Sequence, residues 1–427
     1  MADDTGSLRA APAPSRSSSG RARATRPAAP PRLQVEHLGP ILSADVTFGD
    51  LTVIVGPQAT GKSIFLQTLK LLIDRDHIHD TFRHHNVNVA GRTEAFLEGY
   101  FGGGMAGAWK QDLSALTWNG KKVSLPDQAS PGKAPKGRIK HERLFYIPAQ
   151  RVMSLPGGVS QNFGQFNYGD PYTLRVFSNA VHDLIQNEFG AQGDLFPSPR
   201  KLNESLRAPI HQHLFGGGRL LIDESNFTKR LALQLQGQSG ALGFLSWSAG
   251  QREFTPLLMG LYWLCQVRHA RRMSGMSQDE VIEWVVIEEP EMGLHPQGIS
   301  AVLLLVLELM RRGYRVVIST HSPVVLEMIW AIQEFKQLGA TEKDIRDLFS
   351  LKAEDSAKKL AQAALSKDYR VYFFDRQSPV RDISALDPGA LEQAESEWGG
   401  ITGFSSRVNA TIAAAVNRAA VRTGTSI

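Results

Sequence analysis

Gly56-Pro-Gln-Ala-Thr-Gly61-Lys62-Ser63 follows the apolar run Leu51-Thr-Val-Ile-Val55 and leads into Ile64-Phe-Leu-Gln-Thr-Leu-Lys-Leu-Leu72. The octet is G-x-x-x-x-G-K-S in a strand–loop–helix setting, the context that gives the pattern its physical meaning. Gly56, Pro57, Gln58, Ala59, Thr60 and Gly61 form a loop whose backbone N–H groups can wrap phosphate oxygens at the positive end of the next helix. Lys62 then reaches the β and γ phosphates, and the Ser63 hydroxyl sits on Mg²⁺. The expected ligand is ATP with Mg²⁺, and the expected fold is α/β. Upstream, Leu33-Gln-Val-Glu36 and Ala44-Asp-Val-Thr-Phe48 read as short strands, with Gly39-Pro40 and Gly49-Asp50 as turns.

Three further segments supply chemistry. In Val281-Ile-Glu-Trp-Val-Val-Ile-Glu288-Glu289-Pro290, five of the six residues from Ile282 to Ile287 are apolar, as in a strand buried on both faces of a parallel sheet. It ends in paired carboxylates, where open α/β sheets place their sites. Glu288 is positioned to hold the Mg²⁺ shell and Glu289 to polarise the attacking water. Arg315-Val-Val-Ile-Ser-Thr320-His321 is a second such strand, and its imidazole can contact a terminal phosphate and report its loss. Ser246-Trp-Ser248-Ala-Gly250-Gln251-Arg-Glu253 precedes an apolar helix at roughly 254–265. Read alone, Ser248 is an ordinary N-cap. With a phosphate loop in the same chain, Ser248, Gly250 and Gln251 make a second anion-binding helix end. Two copies meeting head to tail would then share each nucleotide.

Taken in order, the phosphate loop, Tyr146-Ile-Pro-Ala-Gln150-Arg151, Ser248-Ala-Gly-Gln251, Ile287-Glu-Glu-Pro-Glu-Met-Gly-Leu-His-Pro296 and Ser319-Thr-His-Ser-Pro323 resemble the ABC-type ATPase heads of the RecF, SMC and OLD class. The forms of the last two are especially similar to the bacterial "AAA family ATPase" group, which includes ATPase subunits of anti-phage systems such as PARIS and Septu. The resemblance spans roughly 33–329. It implies a P-loop NTPase fold with a mixed sheet core, an antiparallel β lobe and a helical insertion lobe. It also implies that Gln150 senses Mg²⁺ and the γ-phosphate, that Ser248 and Gly250 act in trans, that Glu289 is the catalytic base, and that His321 is the switch histidine. Leu294-His295 takes the place of a usual Asp, Ala249 that of a Gly and Trp247 that of a Leu.

The rest of the chain frames this head. The net charge of +5 is mostly in residues 1–32, a Pro/Ser/Arg-rich tail carrying +4, which leaves the body near neutral. A basic nucleic-acid surface is therefore not predicted by charge. The tail is too poor in large apolar residues to fold. A single cysteine, Cys265, excludes a disulfide framework and fits a reducing cytoplasm. Neither a membrane span nor an apolar signal region is apparent. Expected segments are 1–32 (tail), 33–155 (first part of the head), 156–240 (helical lobe), 241–345 (second part of the head) and 346–427 (α/β extension). His77, His79, His84 and His85 are expected as a solvated or nucleotide-proximal cluster rather than a metal site, and the aromatics Phe163, Phe166, Tyr168 and Tyr172 as lobe packing. Residues 346–427 contain no Asp-x-Asp, so any effector chemistry is expected on another chain, a nuclease or toxin. The expected function is a homo-oligomeric ATPase that regulates such an effector in anti-phage defence. The alternative is a RecF-like ATPase that clamps DNA.

Overall fold

In a computed structural model of the chain, residues 29–87, 89, 92–130, 141–188, 194–198, 202–224, 228–274 and 282–423 are described. Strands run in the order β1 (Arg32–Leu38), β2 (Ile41–Thr47), β3 (Leu51–Val55), β4 (Ala115–Trp118), β5 (Lys121–Val123), β6 (Leu144–Ile147), β7 (Asp194–Phe196), β8 (Arg219–Asp223), β9 (Arg230–Gln234), β10 (Ala241–Gly243), β11 (Trp284–Glu288), β12 (Arg315–Ser319), β13 (Tyr369–Phe373) and β14 (Arg381–Asp382). The helices that frame the site are α1 (Lys62–His84), α2 (Thr93–Phe101), α3 (Leu125–Ala129), α4 (Tyr172–Asp183), α5 (Glu204–His213), α6 (Ala249–Ser274), α7 (Pro296–Arg311) and α8 (Pro323–Gln337).

The central sheet has the order β14-β13-β3-β12-β11-β6, parallel except at β14. Strands β3, β6 and β11 are buried along their whole length because both faces are covered. Val53, Val285, Val316 and Ile147 face one core cluster with α6, α7 and α8. Ile54, Val286, Val317 and Tyr146 face the other, beneath α1 and the antiparallel sheet β2-β1-β4-β5. The register aligns Ile54 and Glu288 with Ser319, Ile287 with Ile147, and Val55 with Phe373. The C-terminal ends of five parallel strands thus deliver Gly56, Thr320, Glu289, Pro148 and Phe374 to one edge.

The structure departs from expectation in three places. The insertion at 156–240 is not simply helical: besides α4 and α5 it holds three strands of a four-stranded antiparallel sheet, β10-β9-β8-β7, whose edge strand β10 lies just beyond it. Strands β8 and β9 have a charged or polar residue at each end and are only partly buried, so they lack the unbroken apolar run of the central strands, yet they bury Leu220, Leu231 and Leu233 in the core. The segment beginning at 346 is not separate from the head, since β13 pairs with the phosphate-loop strand β3. Pro31–Ile427 accordingly forms one unit.

The histidine cluster is the third departure. It lies at the far end of α1, with His79 roughly 25 Å along the axis from Lys62, so it is not nucleotide-proximal. His79 Nε2 lies 2.7 Å from the Gln128 carbonyl with its ring stacked on Phe96, and His85 stacks on Phe163. Phe163 and Tyr172 are buried in the same lobe, and the Tyr168 hydroxyl bonds the Ala95 carbonyl. The N-terminal tail to residue 28 and the Pro/Lys/Gly-rich stretch at 131–140 lie outside the described residues.

Candidate functional site

The phosphate loop is shaped by close backbone approach. Gly56 has φ +141°, and a Cβ there would lie 2.0 Å from the Phe374 carbonyl oxygen. Gly61, at φ +91°, ends the loop and begins α1, whose first turn carries no acidic residue. The helix N-terminus is thus free of a competing carboxylate. Lys62 Nζ donates to the carbonyls of Gly56 and Pro57, each at 2.7 Å, so its cation curls over the loop. The Thr60 hydroxyl donates to Pro57 O at 3.0 Å. Burial pulls the Lys62 pKa down, and the carboxylates of Glu289, Glu288 and Glu291 oppose that.

Those carboxylates stand at the end of β11. Glu288 is 2% exposed; its Oε2 accepts from the Ala149 N–H at 3.2 Å, while its Oε1 is buried without a protein partner. Burial pushes the Glu288 carboxyl up, and the Ser63 hydroxyl and Ala149 N–H favour its charged form. Glu289 has φ +44°, a left-handed backbone uncommon for a residue with a side chain. Its N–H donates to Ser319 O at 2.8 Å. Its carboxylate stays about a third exposed, 3.7 Å from His321 Nε2. The His321 N–H donates to Glu291 Oε1 at 2.6 Å. Gln150 caps a short turn after β6 with its side chain exposed.

An orphaned buried carboxylate oxygen, beside a serine hydroxyl at the mouth of a phosphate loop, is the oxygen donor set that a hard divalent cation takes. The residues present therefore fit Mg²⁺.

Ser248, Gly250 and Gln251 belong to the start of α6. Ser248 and Gln251 cap α6 reciprocally: Gln251 N donates to Ser248 Oγ at 3.2 Å and Ser248 N to Gln251 Oε1 at 3.0 Å. The Gln251 amide also donates to Leu214 O. Gly250 packs on the turn after the carboxylates, where a Cβ would meet Gly293 O at 2.6 Å. Trp247 lies beneath this turn, its indole N–H bonded to Leu242 O at 3.0 Å and its ring 4.9 Å from Phe244, so the large side chain is structural. Among the described residues, no hydrogen bond or ion pair joins Ser248–Gln251 to Gly56–Ser63.

Sequence reasoning gave no role to three contributors. Glu291 holds the His321 backbone, Arg376 Nη2 lies 3.4 Å from the Gln58 carbonyl, and Arg151 is wholly buried behind the carboxylates. Only Glu291 carried a signal, its place in the Glu-Glu-Pro-Glu run.

Comparison with known proteins finds that the family described as "AAA domain, putative AbiEii toxin, Type IV TA system" matches residues 199–327. An OLD nuclease of Thermus scotoductus is 24% identical over 364 residues, covering 74% of this chain and 62% of the nuclease. The chain thus spans less than two thirds of that relative's length. The energy-coupling factor transporter ATP-binding protein EcfA of Methanococcus maripaludis is 35% identical over 68 residues, 15% of this chain and 24% of that protein. Among solved structures, the SMC head domain from Thermotoga maritima is 15% identical with a TM-score of 0.30, over 69% of this chain and 90% of that one. The matched family segment contains the Ser248 helix, both carboxylates and His321, and the phosphate loop lies on the neighbouring strands of the same sheet. The chain is thus similar to that AAA-domain family over 199–327 and to the OLD nuclease over most of its length.

Proposed function

We propose that the chain binds and hydrolyses Mg²⁺-ATP at sites shared head to tail by two copies, and that this cycle regulates a separate effector protein. The observation that carries the reading is the convergence of Lys62, Ser63, Glu288, Glu289 and His321 at one sheet edge, while Ser248–Gln251 form no described hydrogen bond or ion pair to the phosphate loop. Mg²⁺, when bound, would supply positive charge against that developing on the terminal phosphates. Ser63, Gln150 and Glu288 hold it. The loop 56–61 and Lys62 bind the phosphates, Glu289 takes a proton from the attacking water, and His321 contacts the terminal phosphate. Ser248, Gly250 and Gln251 of the second copy close the other side.

The regulatory role, an effector of nuclease or toxin chemistry in anti-phage defence, is supported by the form of the motifs. The segments 33–155, 241–345 and 346–427 would then work as one head with 156–240 as its inserted lobe. A cytoplasmic place is supported by the lone Cys265; no described helix is long and apolar enough to cross a membrane. The second reading, a RecF-like clamp on DNA, has the OLD nuclease relative in its favour. Salt separates the two, since phosphate-contacting DNA binding falls steeply as salt rises.

The test is turnover with purified protein. Lys62→Ala is expected to lose nucleotide binding. Glu289→Gln is expected to bind ATP while hydrolysing it about 10²–10³-fold more slowly, the usual worth of a general base. Wild-type turnover by Glu289→Gln would remove Glu289 from the base role.

A further inference from the structure

Arg151 is 0% exposed and, among the described residues, forms no salt bridge with a carboxylate. Its guanidinium instead donates to four backbone carbonyls: Nε to Glu253 O at 3.0 Å, Nη1 to Pro148 O at 3.4 Å and Glu288 O at 2.9 Å, and Nη2 to Glu289 O at 3.0 Å. Only a planar fork of five donors can satisfy acceptors arrayed in this way. The carbonyls belong to three chain segments: the turn after β6, the end of β11, and the start of the second turn of α6. Two of them flank the left-handed backbone of Glu289, whose own N–H is held by Ser319 O. The conformation that aims the Glu289 carboxylate at His321 is therefore fixed from both sides, and one of those holds runs straight to α6.

We infer that Arg151 is a positioning residue that couples the Ser248 end of α6 to the Glu289 carboxylate. A movement of α6 when a second copy engages at Ser248 reaches Glu289 through one rigid group. The inference rests on the reading of Glu289 as the base. It assigns Arg151 no contact with nucleotide, because none of its bonds involves the phosphate loop.

The experiment compares wild type, Glu289→Gln, Arg151→Lys and Arg151→Ala in the full chain, reading turnover, affinity for a fluorescent ATP analogue and the thermal midpoint. For Arg151→Lys, affinity is expected to stay within about threefold while turnover falls about 100-fold, as a misplaced catalytic group costs. Lysine keeps the charge but not the fork, so charge alone does not rescue. For Arg151→Ala, guanidinium at a concentration well below denaturing is expected to recover roughly tenfold of the lost turnover. Wild-type turnover by Arg151→Lys, with Glu289→Gln still slow, overturns the coupling and leaves the base assignment standing. Loss of affinity, midpoint and turnover together in Arg151→Lys also overturns it, since that is a merely structural role. Should Arg151→Ala fail to fold, Arg151→Lys decides. A Glu289→Gln protein as fast as wild type removes the underlying reading instead.

Discussion

At the scale of single residues, the site depends on backbone passing close to backbone. Gly250 sits in the first turn of α6, with its α-carbon against Gly293 at φ +71°. A methyl group at Gly250 would meet Gly293 O at 2.6 Å, a backbone atom that cannot yield as the end of a side chain can. Gly250→Ala is therefore expected to cost roughly 1–3 kcal/mol of stability, as overpacking does. It should also push the Ser248 cap away from the turn at Glu291–Leu294. Urea unfolding measures the first effect, and turnover at unchanged affinity for an ATP analogue measures the second. An unchanged midpoint with normal turnover would show that the two segments need not touch. Gly56, Gly61 and Lys62 were legible in the sequence because a loop around phosphate needs those residue types at that spacing. The left-handed Glu289 and the buried Arg151 were not. Their partners are carbonyls that any residue supplies, 102 and 137 positions along the chain from Arg151 in the case of Glu253 and Glu288.

At the scale of elements, α1 carries the phosphate loop and is fixed to β6 by a buried charge cluster. Lys70 Nζ donates to Asp74 Oδ2 at 2.9 Å, Glu142 Oε1 at 2.6 Å and Leu144 O at 2.7 Å. Asp74 in turn accepts the N–H groups of Arg143 and Leu144 and breaks the helix, with φ −118°. The cluster sets α1 against the strand that leads to Gln150. Burial works against the Lys70 charge, but Asp74 and Glu142 outweigh it and raise its pKa above the ordinary value. A raised lysine contributes stability in full below its unfolded pKa and loses it as pH climbs through the folded one. The lysine's contribution therefore holds across the neutral range and is lost in strong alkali. Lys70→Met leaves Asp74 buried without its cation and is expected to cost about 3–5 kcal/mol, read by denaturant unfolding near pH 7. Loss below about 1 kcal/mol would mean that Asp74 is satisfied by backbone alone. In the sequence these two residues look like an ordinary i, i+4 pair on a solvated face. The apolar strands β3, β11 and β12 were readable because burial on both faces leaves long apolar runs. Strands β8 and β9 were not, since a charged or polar residue at each end leaves no such run.

At the scale of the whole molecule, the proposed shared site gives each copy two incomplete halves. The strand ends gather the phosphate loop, the carboxylates and His321 at one edge. The α6 N-terminus has Ser248 as its cap, no acidic residue in its first turn, and no described bond to the phosphate loop. Two copies arranged head to tail place each free helix end against the other copy's loop, and a twofold pair contains two such sites. A mixing experiment follows from this arithmetic. Lys62→Ala removes the loop half and Ser248→Arg the helix half, so each variant alone has no complete site. In a random mixture of equal amounts, half of the pairs contain one of each variant, and such a pair has one site built from two intact halves. About one quarter of wild-type sites are then restored, and turnover should recover to roughly that fraction if the sites act independently. Wild-type turnover per chain should also rise with chain concentration until pairing saturates. Failure to recover at any mixing ratio, with both variants folded and wild type active, would mean that a single chain closes its own site. The coupling of α6 to Glu289 through Arg151 would then respond to movement within one chain, and ATP could no longer serve as the signal that two copies have met.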